Sequence, residues 1–199
     1  MKRSWLGMAV LVVALATVIA CGKPPQAEMD SAKAALEDAK TAQADKYASA
    51  EYQAAESSIN AAQAEIDAQS QKMFKNYDKA KELANTAKAD AEKAKEAAAT
   101  NMETAKNEAT TAINDATTAL ENAKTALAGA PKGKDTKADL ALFQQDLDGL
   151  AATLSEAQTA MSSNDYMTAR DKANSVKEKA TSISDQIAQA AATRSGAKK

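Results

Sequence analysis

The chain offers few side chains that could carry out covalent or metal chemistry. It has one cysteine, Cys21, and no histidine, which excludes an intrachain disulfide, the usual zinc ligand sets, a Cys/His nucleophile pair and a Ser-His-Asp triad. The remaining acid/base candidates are carboxylates such as Asp30, Glu37, Asp38 and Glu51. On helices rich in Lys and Glu, such groups are ordinarily solvated surface charges. We therefore predict that the protein is not an enzyme and has no catalytic residue, metal, cofactor or small-molecule substrate.

The overall charge also limits the partners. The chain has 199 residues with 25 basic and 27 acidic side chains, a formal net charge of -2. Strong electrostatic capture of nucleic acid needs a basic surface, so we expect no nucleic-acid partner.

The first 20 residues have the layout of a bacterial export signal. Lys2 and Arg3 form a basic start, an apolar run extends from Trp5 to Ala20, and small residues precede Cys21. An uncleaved membrane anchor and an ordinary secretory signal are the alternatives. The apolar run is shorter than the ~20 residues that a membrane-spanning helix needs, which favours removal of residues 1–20.

The four residues Val18, Ile19, Ala20 and Cys21 resemble the lipobox of bacterial lipoproteins. The resemblance implies cleavage between Ala20 and Cys21 and acylation of the Cys21 thiol by palmitate-like chains. Several acyl chains hold a protein on a membrane far better than one. Gly22 stands where enteric bacteria use aspartate for inner-membrane retention, so the outer membrane of the cell envelope is the expected location. Residues 21–26, with two prolines, are interpreted as the lipidated cysteine and a short spacer.

The composition of the full chain favours long helices. There are 51 alanines, only 4% aromatic residues, six glycines and three prolines. The segment ALEDAKTA at 35–42 recurs as ALENAKTA at 119–126, and apolar positions farther along align at offsets of 88 and 89 residues. We therefore predict two helical repeats, residues 27–112 and 113–193.

Each repeat is predicted to contain three helices, because apolar or alanine positions recur at alternating steps of three and four. The fold class is all-α, with elongated antiparallel helical hairpins and three-helix, bundle-like repeats with coiled-coil spacing. One long helix at about 76–128 is shared by the repeats and ends at the Gly129 to Lys134 loop. Four methionines are expected to fill gaps in the core: Met29, Met73, Met102 and Met161. The Leu/Ile-rich hairpin 138–190 is expected to be more stable than 88–112.

Several motifs together resemble a family of bacterial envelope lipoproteins catalogued as domain of unknown function 4398. They are the lipobox, the prolines after it, the Tyr47-Ala48-Ser49 segment, and the turn-and-helix from Asn76 to Ala80. The family pattern has proline where this chain has Ser49. The resemblance covers about residues 24–100 and implies a helical, membrane-anchored envelope protein without assigned catalytic residues.

Two further features suggest contacts. Tyr77 and Tyr166 occupy equivalent places in the repeats and are candidates for an interaction pair; the alternative is that each ring packs across its turn. Residues 194–199 form a predicted basic, flexible tail ending in Lys199, which resembles the wall-attached terminal lysine of small murein lipoproteins.

These observations leave two non-catalytic functions. The first is a lipid-anchored envelope scaffold or adaptor that binds another envelope protein or copies of itself. The alternative is a tether between the outer membrane and peptidoglycan through Lys199.

Overall fold

The computed structural model describes residues 22–131 and 137–196, and in these segments it contains six helices and no strand. The helices are α1 (Gln26–Thr41), α2 (Ala44–Tyr47), α3 (Ser49–Ser70), α4 (Asp78–Gly129), α5 (Lys137–Ser162) and α6 (Tyr166–Gly196). The all-α fold is therefore confirmed, as is the long helix that the sequence predicts at about 76–128. This helix, α4, is 52 residues long.

The structure divides into two compact units between Asn101 and Met102. Helix α4 contributes its first part to unit 1 and its second part to unit 2. The division falls before residue 112, where the sequence repeat places the boundary. It coincides with the step from Ala98 to Met102. Spacings of three and four residues alternate between the small or apolar positions of α4, and this step is a second consecutive spacing of four.

Unit 1 is a bundle of α1, α3 and the first part of α4, with the one-turn helix α2 between α1 and α3. Ion pairs join Glu28 to Lys81 and Asp38 to Lys95, each at 3.1 Å. Because residue numbers rise together in these pairs, α1 runs parallel to α4.

Helix α3 runs in the opposite direction. The Ser58 hydroxyl donates to Asp90 Oδ2 at 2.7 Å, and Lys79 lies 3.7 Å from Glu65. The numbers rise on one helix as they fall on the other, so α3 is antiparallel to α4.

Alanines are the most numerous buried residues of unit 1. One of its buried clusters contains the large residues Met29 and Ile59, with Leu36, Ile66 and Leu83 packed against it, and its other members are alanines. These are Ala32, Ala62, Ala84 and Ala87. Alanine methyl groups allow helices to pack closely but bury little area, at roughly 0.8 kcal/mol per buried carbon.

Unit 2 contains the second part of α4 together with α5 and α6. Arg170 bonds to Glu108 at 2.9 Å and Lys177 to Asp115 at 2.8 Å, so α6 runs parallel to α4. A 2.6 Å pair between Lys172 and Glu156 joins the antiparallel helices α5 and α6.

The core of unit 2 is built from larger side chains than that of unit 1. Leu147 and Val176 are fully buried, and the surrounding cluster adds further leucines and isoleucines. These are Leu120, Leu127, Leu150, Leu154, Ile183 and Ile187.

Positions that the sequence repeat aligns are similarly buried in the two units. Ala84 and Ala173 are both fully buried, as are Ala87 and its counterpart Val176. In each unit the first and third helices are parallel and the second is antiparallel. The order of helix directions is therefore the same in the two units.

Two expectations need revision. Met73 was expected in the core, but α3 ends at Ser70 and Met73 is 86% exposed. At the other end of the chain, α6 continues to Gly196, three residues into the segment predicted as a tail. The other methionines fit the prediction better, with Met29 buried and Met102 and Met161 half-buried.

Candidate functional site

The described chain begins immediately after the predicted lipidation site. Ala20 and Cys21, between which cleavage is expected, lie outside the described residues, and so does Lys199. The first residue with a described position is Gly22. The geometry that bears on an anchor is therefore that of residues 22–25.

Residues 22–25 pack against unit 1. A Cβ atom placed on Gly22 would lie 3.4 Å from Cδ2 of Tyr77 and 3.5 Å from the carbonyl oxygen of Lys75. Pro25 is buried, and its carbonyl oxygen accepts a hydrogen bond from the Met29 amide at 3.0 Å. Proline is favoured in the first turn of a helix because its ring fixes the φ angle. The backbone N–H that proline lacks would have no partner within the helix at that position. The segment interpreted as a spacer is thus docked at the start of α1.

A cleft of about 620 Å³ lies where this segment meets the start of α4. Its charged lining includes Lys23, Glu28, Lys75, Asp78 and Lys81. The hydrogen bond from Lys81, helped by the backbone at Glu28, holds the pKa of the Glu28 carboxyl below its ordinary value of 4.5. The cleft is open and polar, and Glu28 stays ionised in it.

A second carboxyl group in unit 1 has a lowered pKa. Glu65 accepts a hydrogen bond from the side-chain amide of Gln69 at 2.7 Å, and this bond is the largest cause of the lowering. Lys79 and Lys72 add electrostatic stabilisation of the same charged form. Neither Glu28 nor Glu65 is poised to hold a proton at neutral pH.

The two candidate interaction tyrosines are buried. Tyr77 is 6% exposed beside Gly22, and Tyr166, at the first position of α6, is 8% exposed. The Tyr166 hydroxyl bonds to Oδ1 of Asn164 at 2.7 Å, and Asn164 itself has a left-handed backbone with φ of 60°. Their burial favours the alternative interpretation, in which each ring packs at its turn.

The acid/base candidates are dispersed rather than assembled. Asp30, Glu37 and Asp38 are exposed on α1, while Glu51 is half-buried at the start of α3. Asp30 accepts a hydrogen bond from Gln26 at 2.9 Å. Among residues 22–131 and 137–196, no group of three or more His, Cys, Asp or Glu side chains is placed to hold a metal ion. Within the same described segments, no helix combines the length and the apolar character that crossing a bilayer requires.

Unit 2 carries an apolar cavity that the sequence did not single out. It measures about 370 Å³ and lies at the end of the unit where α4 terminates. Its apolar lining comprises Ala130, Pro131, Leu140, Leu142, Phe143, Ile187, Ala190 and Ala191. Leu142 is 60% exposed at its edge. Leu142 does not belong to the run of apolar positions that predicts the core face of α5. The sequence pattern therefore already indicates that Leu142 is exposed.

Comparison with known proteins connects the chain to one family. Residues 27–109, which include α1 except its first residue, α2, α3 and α4 as far as residue 109, match the family model Domain of unknown function (DUF4398). The resemblance that the sequence motifs indicate to this family is thereby confirmed over those residues. No curated protein and no solved structure matches the chain.

Proposed function

We propose that the protein is a lipid-anchored scaffold or adaptor of the bacterial cell envelope. In this proposal Cys21 carries acyl chains in the outer membrane, and the helical units bind another envelope protein or a second copy of the chain. The role is non-catalytic. It goes beyond the DUF4398 resemblance, which by itself assigns no activity.

The observation that carries the proposal is the docking of residues 22–25 on unit 1. Gly22 lies against Tyr77 and Pro25 is buried. Because Gly22 directly follows Cys21 in the sequence, the proposed anchor adjoins a segment that packs on unit 1 and not a long free linker. A docked anchor suits a protein that must present its helices at a fixed place on a membrane.

The chemistry of the described surface also supports a non-catalytic role. A carboxyl group that acts as a general acid near neutral pH needs a raised pKa. Among the described residues, the carboxyl groups of Glu28 and Glu65 have pKa values that are shifted downwards. They are held as anions by neighbouring amide and ammonium groups.

A partner site is best placed at the apolar cavity of unit 2. Protein interfaces have an apolar centre with a polar rim, and this cavity joins Leu140, Leu142 and Phe143 to a rim that includes Asp139, Asp146 and Gln186. The exposed Leu142 side chain would lose its contact with water when a partner covers it.

The first experiment places a photo-crosslinking amino acid at Leu142 in cells, with Glu178 as the control. Both positions are exposed in unit 2, but Glu178 lies outside the cavity. We expect a crosslinked product at 142 and none at 178. The mass of the product separates a second copy from a different envelope protein. A compact, unassociated monomer in solution, with no product at 142, would overturn the scaffold proposal.

The anchor is tested separately by mass spectrometry of the protein extracted from membranes. We expect the mature chain to begin at Cys21 with added acyl mass. Cys21→Ala should abolish this added mass and release the protein from its lipid-dependent attachment to the membrane. An unmodified cysteine would refute the anchor without bearing on the partner site.

The tether remains the second candidate, with the lysines at 198 and 199 as the residues that would carry it. It is tested on sacculi boiled in detergent, from cells with the full chain and cells lacking these two lysines. Retention of the full chain alone would make the protein a link between lipid and wall. Loss of both forms would leave the scaffold as the better proposal.

A further inference from the structure

The most unusual surface feature of unit 1 is a pair of adjacent exposed hydrophobic residues. Met73 and Phe74 are each 86% exposed, in the loop between α3 and α4. Leu142 is the other large hydrophobic side chain found exposed among the described residues. Scattered apolar side chains on a surface are ordinary, but two neighbours this exposed on one short loop need a reason.

The loop is held in place at both ends. The Lys72 amide donates to the Gln69 carbonyl at 3.1 Å, and the Asn76 amide donates to the Gln69 side-chain oxygen at 3.4 Å. Asn76 Oδ1 then accepts from the Asp78 amide at 2.8 Å, at the start of α4. Gln69 is itself 9% exposed. These bonds fix the two ends of the loop and leave Met73 and Phe74 directed away from the core.

The same loop borders the docked N-terminal segment. Gly22 lies beside the Lys75 carbonyl and the Tyr77 ring, and Gly22 directly follows the predicted anchor residue in the sequence. The exposed pair and the predicted anchor therefore share one end of unit 1.

The charges around the pair are suited to lipid headgroups. Lys72 and Lys75 flank Met73 and Phe74 directly, and Lys23 is exposed on the neighbouring segment. The carboxylates nearby include Asp78 and two that already face lysines, Glu28 with Lys81 and Glu65 with Lys79. Aromatic and apolar side chains flanked by lysines are typical of segments that enter the membrane interface while their ammonium groups remain at the phosphates.

We infer that residues 72–75 are a second membrane contact. Met73 and Phe74 enter the boundary between headgroups and acyl chains, and Lys72 and Lys75 bind lipid phosphates of the same bilayer. The inference rests on the proposed function in one respect, since the acyl chains at Cys21 bring the loop to the surface. Two points of attachment, unlike one, would fix which end of unit 1 faces the membrane.

A single tryptophan tests this contact. The chain contains one tryptophan, Trp5, within the segment that cleavage before Cys21 removes. Phe74→Trp therefore places the only tryptophan of the mature protein in the loop. Leu142→Trp is the matched control, because Leu142 is also an exposed hydrophobic residue but lies in unit 2.

The mature proteins purified from membranes are reconstituted in vesicles of equal parts phosphatidylglycerol and phosphatidylcholine, with and without bromine on the acyl chains. We expect blue-shifted emission from Phe74→Trp and bromine quenching several-fold stronger than for Leu142→Trp. Circular dichroism should give equal helicity for both variants and the parent. Equal, weak quenching at the two positions would overturn the inference and leave the loop available for a protein partner.

Mass spectrometry of the same samples separates this inference from the proposed anchor. Acylated Phe74→Trp protein whose emission is not quenched refutes the loop contact and leaves the anchor standing. Quenched emission from Phe74→Trp protein that has no acyl mass, and whose mass shows that Trp5 has been removed, supports the loop contact and refutes the anchor. Absence of both acyl mass and quenching refutes both.

Discussion

The two units use the same helix directions with different core side chains. Unit 1 packs Met29 and Ile59 among alanines, whereas unit 2 packs leucine, isoleucine and valine around Leu147. At aligned positions unit 1 has Ala87 where unit 2 has Val176, and both are fully buried. The spacing of apolar residues specifies the arrangement of the helices, while side-chain volume decides how strongly the arrangement is held. We expect residues 138–190 to exchange amide hydrogens more slowly than 88–112.

The largest expected effect is on the core of unit 2. Leu147→Ala removes a fully buried side chain and should lower the free energy of unfolding by about 2 to 5 kcal/mol, because it leaves a cavity. Hydrogen exchange followed by mass spectrometry should show the loss of protection in α5 and α6. Leu142→Ala is the control, as Leu142 is mostly exposed. An equal effect of the two substitutions would contradict the assignment of the stability centre.

Exchanging the aligned residues tests the effect of side-chain volume on the stability of each unit. Val176→Ala gives unit 2 the residue of unit 1. It should lower the free energy of unfolding by about 1 to 3 kcal/mol because less apolar surface is buried. Ala87→Val gives unit 1 the residue of unit 2. It should lower the free energy of unfolding by about 1 to 3 kcal/mol because the larger side chain overpacks the contact between helices. Urea denaturation measures both.

The control for the second substitution is Ala89→Val on the exposed side of α4. It should lower the free energy of unfolding only by the difference in helix propensity between alanine and valine, roughly 0.5 kcal/mol. If Ala87→Val were no worse than Ala89→Val, the helices of unit 1 would not require alanine at their contact.

A smaller effect is expected at the start of α6. The Thr168 amide donates to Oδ1 of Asp165 at 3.2 Å, which is the contact of an N-terminal helix cap. Asp165→Ala should lower stability by ~1 kcal/mol, and Asp165→Asn should retain most of it because the amide oxygen can also accept. Thermal unfolding compares the two variants. A loss of stability as large for Asn as for Ala would show that the charge, rather than the cap, matters.

The smallest expected effect is the acid sensitivity of unit 1. The lowered pKa of Glu28 means that its ion pair with Lys81 adds stability above the ordinary carboxyl pKa of 4.5 and loses it as the pH falls through the lower folded-state value. Lys81→Gln should remove part of this dependence from the exchange rates of α1. Lys88→Gln, on an exposed pair within α4, should leave the rates in α1 unchanged. Identical acid profiles for the parent and Lys81→Gln would exclude the pair as a cause.

Much of the fold is predictable because it follows from spacing. The run Tyr166, Ala169, Ala173 and Val176 keeps one face of α6 apolar, and all four residues are buried. The long helix α4 is predictable since no glycine or proline occurs between Asp78 and Ala128. In these segments local propensity and core contacts favour the same structure.

The end of α3 shows where such reasoning fails. Met73 follows Gln69 by four residues and so satisfies the spacing of a core position. The helix instead ends at Ser70, and the Gln69 side chain bonds to the Asn76 amide. A side chain that bonds beyond its own helix is a tertiary effect that periodicity does not contain. The absence of alanine from residues 69–79 and the turn indicated at Asn76 are the local signals of the change.

The candidate site was predictable only in part for a similar reason. The prolines after Cys21 indicate extended backbone, and from that alone a spacer is the natural interpretation. The contact of Gly22 with Tyr77 depends on a residue 55 positions away in the chain. Such a contact leaves no periodic pattern.

The continuity of α4 through the division at residue 101 has a consequence for folding kinetics. Starting a helix is unfavourable, with a nucleation constant of about 10⁻³, whereas extending one adds a hydrogen bond for each residue ordered. Whichever unit folds first therefore supplies the other with a helix end that needs only elongation. The shared backbone couples the folding of two cores that differ in composition, and the leucine-rich unit can in this way assist the alanine-rich one.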